Sequence, residues 1–381
     1  MTQDVSYQNL NPLALLERSA FVYPEKTAVV YKDQRYTYSQ FADRVKRLAN
    51  ALRDAGVEKG DKVAFLVPNL PAMLEGHFGP LRLGAVLVAL NTRLSSRELG
   101  YIVNHSEAKV LVFDSDLAPV VRGFKDDVPN VKTYVQVVDI SPKAEDIPGP
   151  DYESFLSSAS DEDRRIDMIS ELDTVAINYT SGTTGMPKGV VYHARGAYLA
   201  GLAEIFEMGM NWRSNYLWTL PMFHCNGWCF TWGVTAVAGT HICLRQIDPE
   251  QVYNLIRDEG VTNMCAAPTV LTSLYSSSAA EGQDLSRVTI GTAGAPPAPQ
   301  VIRKIEGMGA RILHLYGLTE TYGPHTVCAE QPGWDALSSD ERAVVKARQG
   351  VTFIMTSPGT RIVDENMHDV PKDGETMGEV V

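Results

Sequence analysis

Residues Tyr179–Val190 read YTSGTTGMPKGV. Thr180, Ser181, Thr183 and Thr184 surround Gly182 and Gly185, and Lys188 follows Pro187. Hydroxyls, a cation and glycine-rich backbone are what a polyphosphate tail needs. Glycine lets the chain approach an anion closely and take positive φ, and successive N–H groups form an anion nest. The stretch is not a Walker A loop, because Pro187 precedes Lys188 and Gly189 follows it in place of the Gly-Lys-Ser/Thr ending. It leaves the end of a predicted strand, Thr174–Tyr179, and open α/β sheets bind ligands beyond the carboxyl ends of their strands.

The string resembles the phosphate-loop signature of the acyl-adenylate-forming superfamily, which includes acyl-CoA synthetases, luciferases and peptide-synthetase adenylation domains. Ser/Thr/Gly-rich turns are common, but twelve consecutive residues of the pattern outweigh that reading. The resemblance implies that Thr180, Ser181, Gly182, Thr183, Thr184 and Lys188 cradle the β- and γ-phosphates of ATP.

A second motif, YGLTET at Tyr316–Thr321, follows the predicted strand Arg311–Leu315. It offers an aromatic face, a tight turn at Gly317, a hydroxyl and a carboxylate. Alone it would read as a strand-to-helix turn capped by Thr319 and Glu320. After a phosphate loop, a carboxylate there suits a Mg²⁺ ion bridging phosphate oxygens. The resemblance implies that Tyr316 stacks on adenine, Thr319 contacts the α-phosphate and Glu320 binds Mg²⁺. Gly294-Ala295-Pro296 resembles the segment that lies along adenine, where small residues admit a flat ring.

The segment PMFHCNGWCF, Pro221–Phe230, resembles the acyl-recognition segment of fatty and medium-chain acyl-CoA synthetases. For an isolated His and Trp, burial in a core is the more frequent outcome. The resemblance instead implies that His224 sits near the substrate carboxylate and Trp228 gates an apolar acyl tunnel, with Gly323 leaving room for an aliphatic tail. Residues Trp334–Gly350 are similar to the branch acting on medium and long fatty acids and 3-methylmercaptopropionate. The helix expected there is structural.

The chain has 381 residues, 44% hydrophobic and 21% charged, with a formal net charge of -12. That composition describes a globular protein of more than one packed unit, and the acidic balance argues against nucleic-acid or anionic-lipid partners. Five cysteines give no disulfide framework. His224, Cys225 and Cys229 lack a second ligand pair at zinc spacing, so the thiols read as buried and reduced, consistent with a cytoplasmic setting. The first twenty residues show no basic-then-apolar secretory pattern. No Lys, Arg, Asp or Glu occurs between Arg213 and Arg245, yet Pro221, His224, Asn226, Gly227, Gly233 and Gly239 interrupt the run. It falls short of the ~18 continuous apolar residues of a membrane span and reads as core beside a pocket.

Elsewhere strands and helices alternate. Thr37 and Gln40 form a capping-box pattern, and Phe41, Val45, Leu48, Ala49 and Leu52 keep helical spacing up to Gly56. Strands are expected at Lys62–Val67, Ala85–Leu90, Lys109–Phe113, Val261–Ala267 and Val288–Thr292, and helices at Pro71–Leu83, from Ser96, and at Pro299–Met308. Residues Lys143–Asp167 read as a loop or linker. The expected fold is α/β: two packed subdomains with mostly parallel sheets, 1–172 and 173–340, then the start of a small β-barrel subdomain at 341–381. Met377–Val381 resembles the start of a family motif that would continue further. The expectation is therefore a large N-terminal domain without its C-terminal partner, binding ATP or an acyl-adenylate but forming little thioester.

The implied activity is ATP-dependent conversion of a carboxylic acid, a medium- or long-chain fatty acid or a short thioether acid, to acyl-adenylate and then acyl-CoA. ATP, Mg²⁺ and CoA are the implied cofactors and co-substrates, and a homodimer is the expectation by analogy. An amine acceptor and a non-catalytic nucleotide- or acyl-binding module stay open as alternatives.

Overall fold

A computed structural model describes residues 8–166, 170–180, 185–355 and 359–381. The first hairpin is β1 (Thr27–Tyr31) and β2 (Gln34–Thr37). Next come β3 (Lys62–Leu66), β4 (Val86–Ala89), β5 (Ala108–Asp114), β6 (Thr133–Val137), β7 (Thr174–Thr180) and β8 (Lys188–His193). The second half holds β9 (Asn215–Leu217), β10 (Thr240–Ile242), β11 (Asn263–Ala266), β12 (Thr289–Thr292), β13 (Arg311–Leu318), β14 (Gly323–Val327) and β15 (Val351–Thr352). A short ribbon of β16 (Ile362–Val363) and β17 (Glu379–Val380) ends the chain.

Among the described residues these strands form a six-stranded sheet, β6-β5-β3-β4-β7-β8, and a nine-stranded sheet, β15-β14-β13-β12-β11-β9-β10-β1-β2. Both are parallel in the middle and antiparallel at edges: β7–β8 in the smaller sheet, β1–β2 and β13–β14–β15 in the larger. Sheet membership crosses the expected boundary at residue 172 in both directions. β1 and β2 join the larger sheet, while β7 and β8 complete the smaller. The β16–β17 ribbon pairs only two residues with two, and no closed barrel forms among the described residues. Most of 364–378 is exposed, so there is little apolar surface around which a barrel could close.

Strands buried on both faces carry continuous apolar runs. On β3, Val63 and Phe65 enter the core between the two sheets, while Ala64 and Leu66 enter the core on the sheet's outer side. On β13, Leu313 and Leu315 face the same central core and Ile312 faces a third cluster. The helix Tyr38–Asp54 has the predicted capping box, Thr37 with Gln40, and buries Phe41, Val45, Leu48 and Leu52. The expected helix over Pro71–Leu83 is instead a helix Pro71–Gly76 and a 3₁₀ turn Pro80–Leu83. Pro80 removes a helical donor there. The stretch read as a linker contains a short helix, Tyr152–Ser157, whose Tyr152, Phe155 and Leu156 are buried beneath a polar composition.

Charged groups tie the two sheets together. Arg245, just past β10, holds Asp114 at the end of β5 at 2.6 and 3.0 Å and also reaches Asp139 at 3.2 Å. Asp114 is fully buried. Arg245→Met strands that carboxylate, and the expected loss is about 3 kcal/mol, read as a lower urea midpoint than that of Arg245→Lys. No helix among the described residues is long and apolar enough to cross a membrane.

Candidate active site

The predicted phosphate loop joins two antiparallel strands. β7 runs into it at Thr180 and β8 leaves it at Lys188, with Thr180 and Lys188 as register partners. Ser181, Gly182, Thr183 and Thr184 lie outside the described residues. Gly185 has φ +129, a conformation that suits glycine alone. Lys188 therefore projects from a sheet edge held in register with the loop's entry.

The second motif also differs from a strand-to-helix turn. β13 ends at Leu318, residues Thr319–Thr321 make one 3₁₀ turn, and Tyr322 (φ 67) and Gly323 (φ 105) redirect the chain into β14. The Thr321 hydroxyl accepts from the Leu318 N–H at 2.8 Å and donates to the Leu318 and Gly323 carbonyls. Tyrosines clamp this turn onto the smaller sheet. The Tyr192 hydroxyl on β8 donates to the Thr319 carbonyl at 2.6 Å, and the Tyr322 hydroxyl accepts from the His193 N–H at 3.1 Å. The two rings lie 4.2 Å apart. Thr180 and Lys188 from one sheet and Thr319 and Glu320 from the other are thereby fixed against each other.

Between them lies Pro221–Phe230. Cys225, Asn226, Gly227, Trp228 and Cys229 all have positive φ, from 51 to 62, and form a left-handed turn. For residues other than glycine that conformation costs roughly 1–2 kcal/mol each, so neighbours must impose it. The Asn226 amide donates to Asn178 on β7 at 2.7 Å, and the Thr231 hydroxyl donates to the Asn226 carbonyl at 3.1 Å. A side chain at Gly227 would collide with Trp218, its Cβ coming 2.4 Å from the indole. The turn buries Trp228 against Gly323, where a Cβ would come within 3.2 Å of the Trp228 Cα and Cβ.

These pieces enclose a cavity of about 430 Å³ lined by Thr180, Lys188, His224, Cys225, Trp228, Ala293, Gly294, Gly317, Leu318, Thr319, Glu320, Gly323 and Pro324. Nine residues expected from sequence thus meet in one place. Ala295 and Pro296 are exposed beside it and do not line it, and Tyr316 packs near His325, with ring centroids 5.8 Å apart. A neighbouring cavity of about 300 Å³ shares Thr180, His224, Cys225 and Thr319, and adds Asn178, Glu98 and Phe223.

Asn178 was not singled out in the sequence, and Cys225 was weighed there only as a zinc ligand without enough partners. Asn178 donates to the Phe223 carbonyl at 3.0 Å and accepts from Asn226, so it fastens the left-handed turn to β7. A polar amide in an otherwise apolar strand just before the loop is the signal that marks it. Burial pushes the Cys225 thiol up to about 11, and its sulfur lies 3.5 Å from the Thr319 hydroxyl. The thiol is protonated at neutral pH and is a poor nucleophile. Burial, with the Arg93 charge adding to it, lowers the His224 pKa, so its imidazole is neutral at pH 7.

Among the described residues no group of three His, Cys, Asp or Glu side chains is placed to hold a metal. Mg²⁺ is commonly held by one or two carboxylates together with substrate phosphates. The exposed Glu320 carboxylate, on the wall shared with Thr180 and Lys188, fits a Mg²⁺ ion that arrives with a nucleotide.

The AMP-binding enzyme family matches residues 16–381. The chain belongs to that family. This AMP-binding protein is 41% identical over 380 residues to a 4-hydroxybutyrate–CoA ligase of Metallosphaera sedula, covering 98% of the chain and 69% of that relative. It is 38% identical to a peroxisomal acetate/butyrate–CoA ligase of Arabidopsis thaliana, covering 99% of the chain and 69% of the relative. The AMP-binding fold also superposes on the inhibitor-bound N-terminal domain of FACL13 from Mycobacterium tuberculosis. That match has a TM-score of 0.83 and 26% identity, with 94% of this chain and 86% of that one covered.

Proposed function

We propose that this protein activates a short carboxylic acid with ATP and transfers the acyl group to CoA. The observation that carries the reading is the convergence of Thr180 and Lys188, Thr319 and Glu320, and His224 and Trp228 on one cavity from three separate segments.

The acid's carboxylate attacks the α-phosphorus. The bond from that phosphorus to the α,β-bridging oxygen breaks, releasing pyrophosphate and leaving an acyl-adenylate. The thiol of CoA then attacks the acyl carbonyl, AMP departs and the thiol proton is lost to solvent. Two anions must meet in the first step, so catalysis is positioning and charge neutralisation. Lys188 and the hydroxyls of the phosphate loop bear on the β- and γ-phosphates, and Thr319 bears on the α-phosphate. Small Gly294 and Gly317 edges admit the adenine, with Tyr316 and the Ala295-Pro296 backbone alongside. Mg²⁺, held by Glu320, supplies charge neutralisation on the phosphates when bound. A neutral His224 donates a hydrogen bond to the incoming carboxylate without forming a tight ion pair with it.

Trp228 closes the acyl end against Gly323, which favours short acids over the medium or long fatty acids expected from sequence, and relatives named for 4-hydroxybutyrate, acetate and butyrate agree with that choice. The test supplies ATP, Mg²⁺, either CoA or glycine, and each of acetate, butyrate, hexanoate and dodecanoate. Products are read by mass spectrometry. AMP formation that needs the acid, peaks among the short members and yields thioester but no amide is the expected result. Acid-independent ATP cleavage, amide formation or a dodecanoate optimum contradicts it.

A further inference from the structure

His224 lines both cavities, and its ring has no strong hydrogen bond among the described residues: Nδ1 lies 3.8 Å from the Cys225 sulfur. A thiol is a weak partner, so the place of the imidazole is set by the backbone that carries it. That backbone is anchored on either side. Upstream, the Asn69 amide donates to the Trp218 and Leu220 carbonyls at 2.8 and 2.9 Å, and its oxygen accepts from the Met222 N–H at 2.8 Å. Downstream, the Thr231 hydroxyl holds the Asn226 carbonyl, and Gly227 packs on Trp218. Between these anchors the chain passes from extended backbone at His224 (φ -84, ψ 108) into left-handed backbone at Cys225 (φ 51).

Asn178 spans that passage. It donates to the Phe223 carbonyl, one residue before His224, at 3.0 Å. It accepts from the Asn226 amide, two residues after His224, at 2.7 Å. Asn178 and Asn226 are 2% and 0% exposed, beyond the reach of solvent. Asn178 is itself fixed, because β7 pairs it with Ala89 of β4 on one side and with Val190 of β8 on the other. Two residues further along β7, on the same face of the strand, Thr180 enters the phosphate loop as the register partner of Lys188. One side chain thus joins the backbone on both sides of His224 to the strand that carries the phosphate loop.

We propose that Asn178 is a positioning residue for acid activation: it holds His224 where the imidazole meets the acid's carboxylate, and it leaves nucleotide binding to the loop. The inference rests on the acid-activating reading of the cavity. In the adenylate, the oxygen that His224 meets is the acyl carbonyl, the remaining oxygen of that carboxylate. Without the Asn178 amide, the Phe223 carbonyl and the Asn226 amide lose their shared partner. The step from extended to left-handed backbone then loosens, and a shift of about 1 Å in a positioning group is costly.

The test is calorimetric titration of the folded chain with AMP and with butanoyl-sulfamoyl-adenosine, a non-hydrolysable adenylate mimic. The ratio of the two affinities reads the acyl end. Asn178→Ala is expected to lower that ratio about tenfold, the worth of one strong hydrogen bond, with AMP affinity within about twofold of wild type. Asn226→Gly removes one of the two bonds and takes φ 53 without strain. It is expected to lower the ratio less, and it carries the test should Asn178→Ala not fold. In a His224→Ala background, Asn178→Ala is expected to change the ratio no further, because a residue acting through His224 has nothing left to place. A ratio unmoved by either variant, equal weakening of AMP and mimic, or losses that add in the double variant overturns the inference and leaves the acid-activating reading standing. A wild-type chain that binds AMP and the mimic equally overturns both.

Discussion

Glu320→Gln is expected to slow adenylate formation by about 10²–10³-fold while leaving the unfolding midpoint of the free protein unchanged. The side chain is exposed, so its removal leaves no buried group behind. It stands on the cavity wall that Lys188 also lines, one residue after Thr319, whose carbonyl accepts from Tyr192. The amide keeps the shape and removes the negative charge that favours Mg²⁺ beside the phosphates. Pyrophosphate exchange measured across a Mg²⁺ series checks this. A variant within about threefold of wild type at every Mg²⁺ concentration would show that Glu320 does not carry the metal.

Gly317→Ala is expected to cost at least about 4 kcal/mol. A Cβ at this position would stand 1.8 Å from the Gly323 carbonyl oxygen, 2.4 Å from its carbon and 2.6 Å from the Pro324 Cα. All three are backbone atoms of the strand paired with β13, so no flexible side chain can move aside, and the β13–β14 hairpin must open. Gly294→Ala is the control. Its φ of +85 disfavours alanine by roughly 1–2 kcal/mol, yet nothing lies within 4 Å of the added methyl. Urea unfolding of both variants reads the difference. A Gly317→Ala midpoint equal to that of Gly294→Ala would mean that the hairpin relaxes freely, and that the turn carrying Thr319 and Glu320 is not rigidly held.

Residues that announce themselves through local chemistry were legible in the sequence. The capping box at Thr37 and the apolar runs of β3 and β4 each express a short-range rule and appear where expected, and the expected strand β7 leads into the first Gly/Thr-rich motif. What stayed hidden depends on long-range partners. The pairing of β8 back onto β7 is set by the sheet edge, and nothing in Lys188–His193 specifies antiparallel pairing. The left-handed turn at Cys225–Cys229 runs against the intrinsic preference of four of its five residues and exists because Asn178, Trp218 and Thr231 surround it.

We propose that the cavity lined by Lys188, Glu320 and Trp228 is an acyl-adenylate site. The most direct test is calorimetric titration of the chain with a single short acyl-sulfamoyl-adenosine, propanoyl, in parallel with AMP. The expected result is saturable one-to-one binding of the mimic, tighter than AMP, with the acyl portion adding affinity through Trp228. Binding of AMP and the mimic with equal affinity, or binding of neither to a demonstrably folded chain, would contradict it.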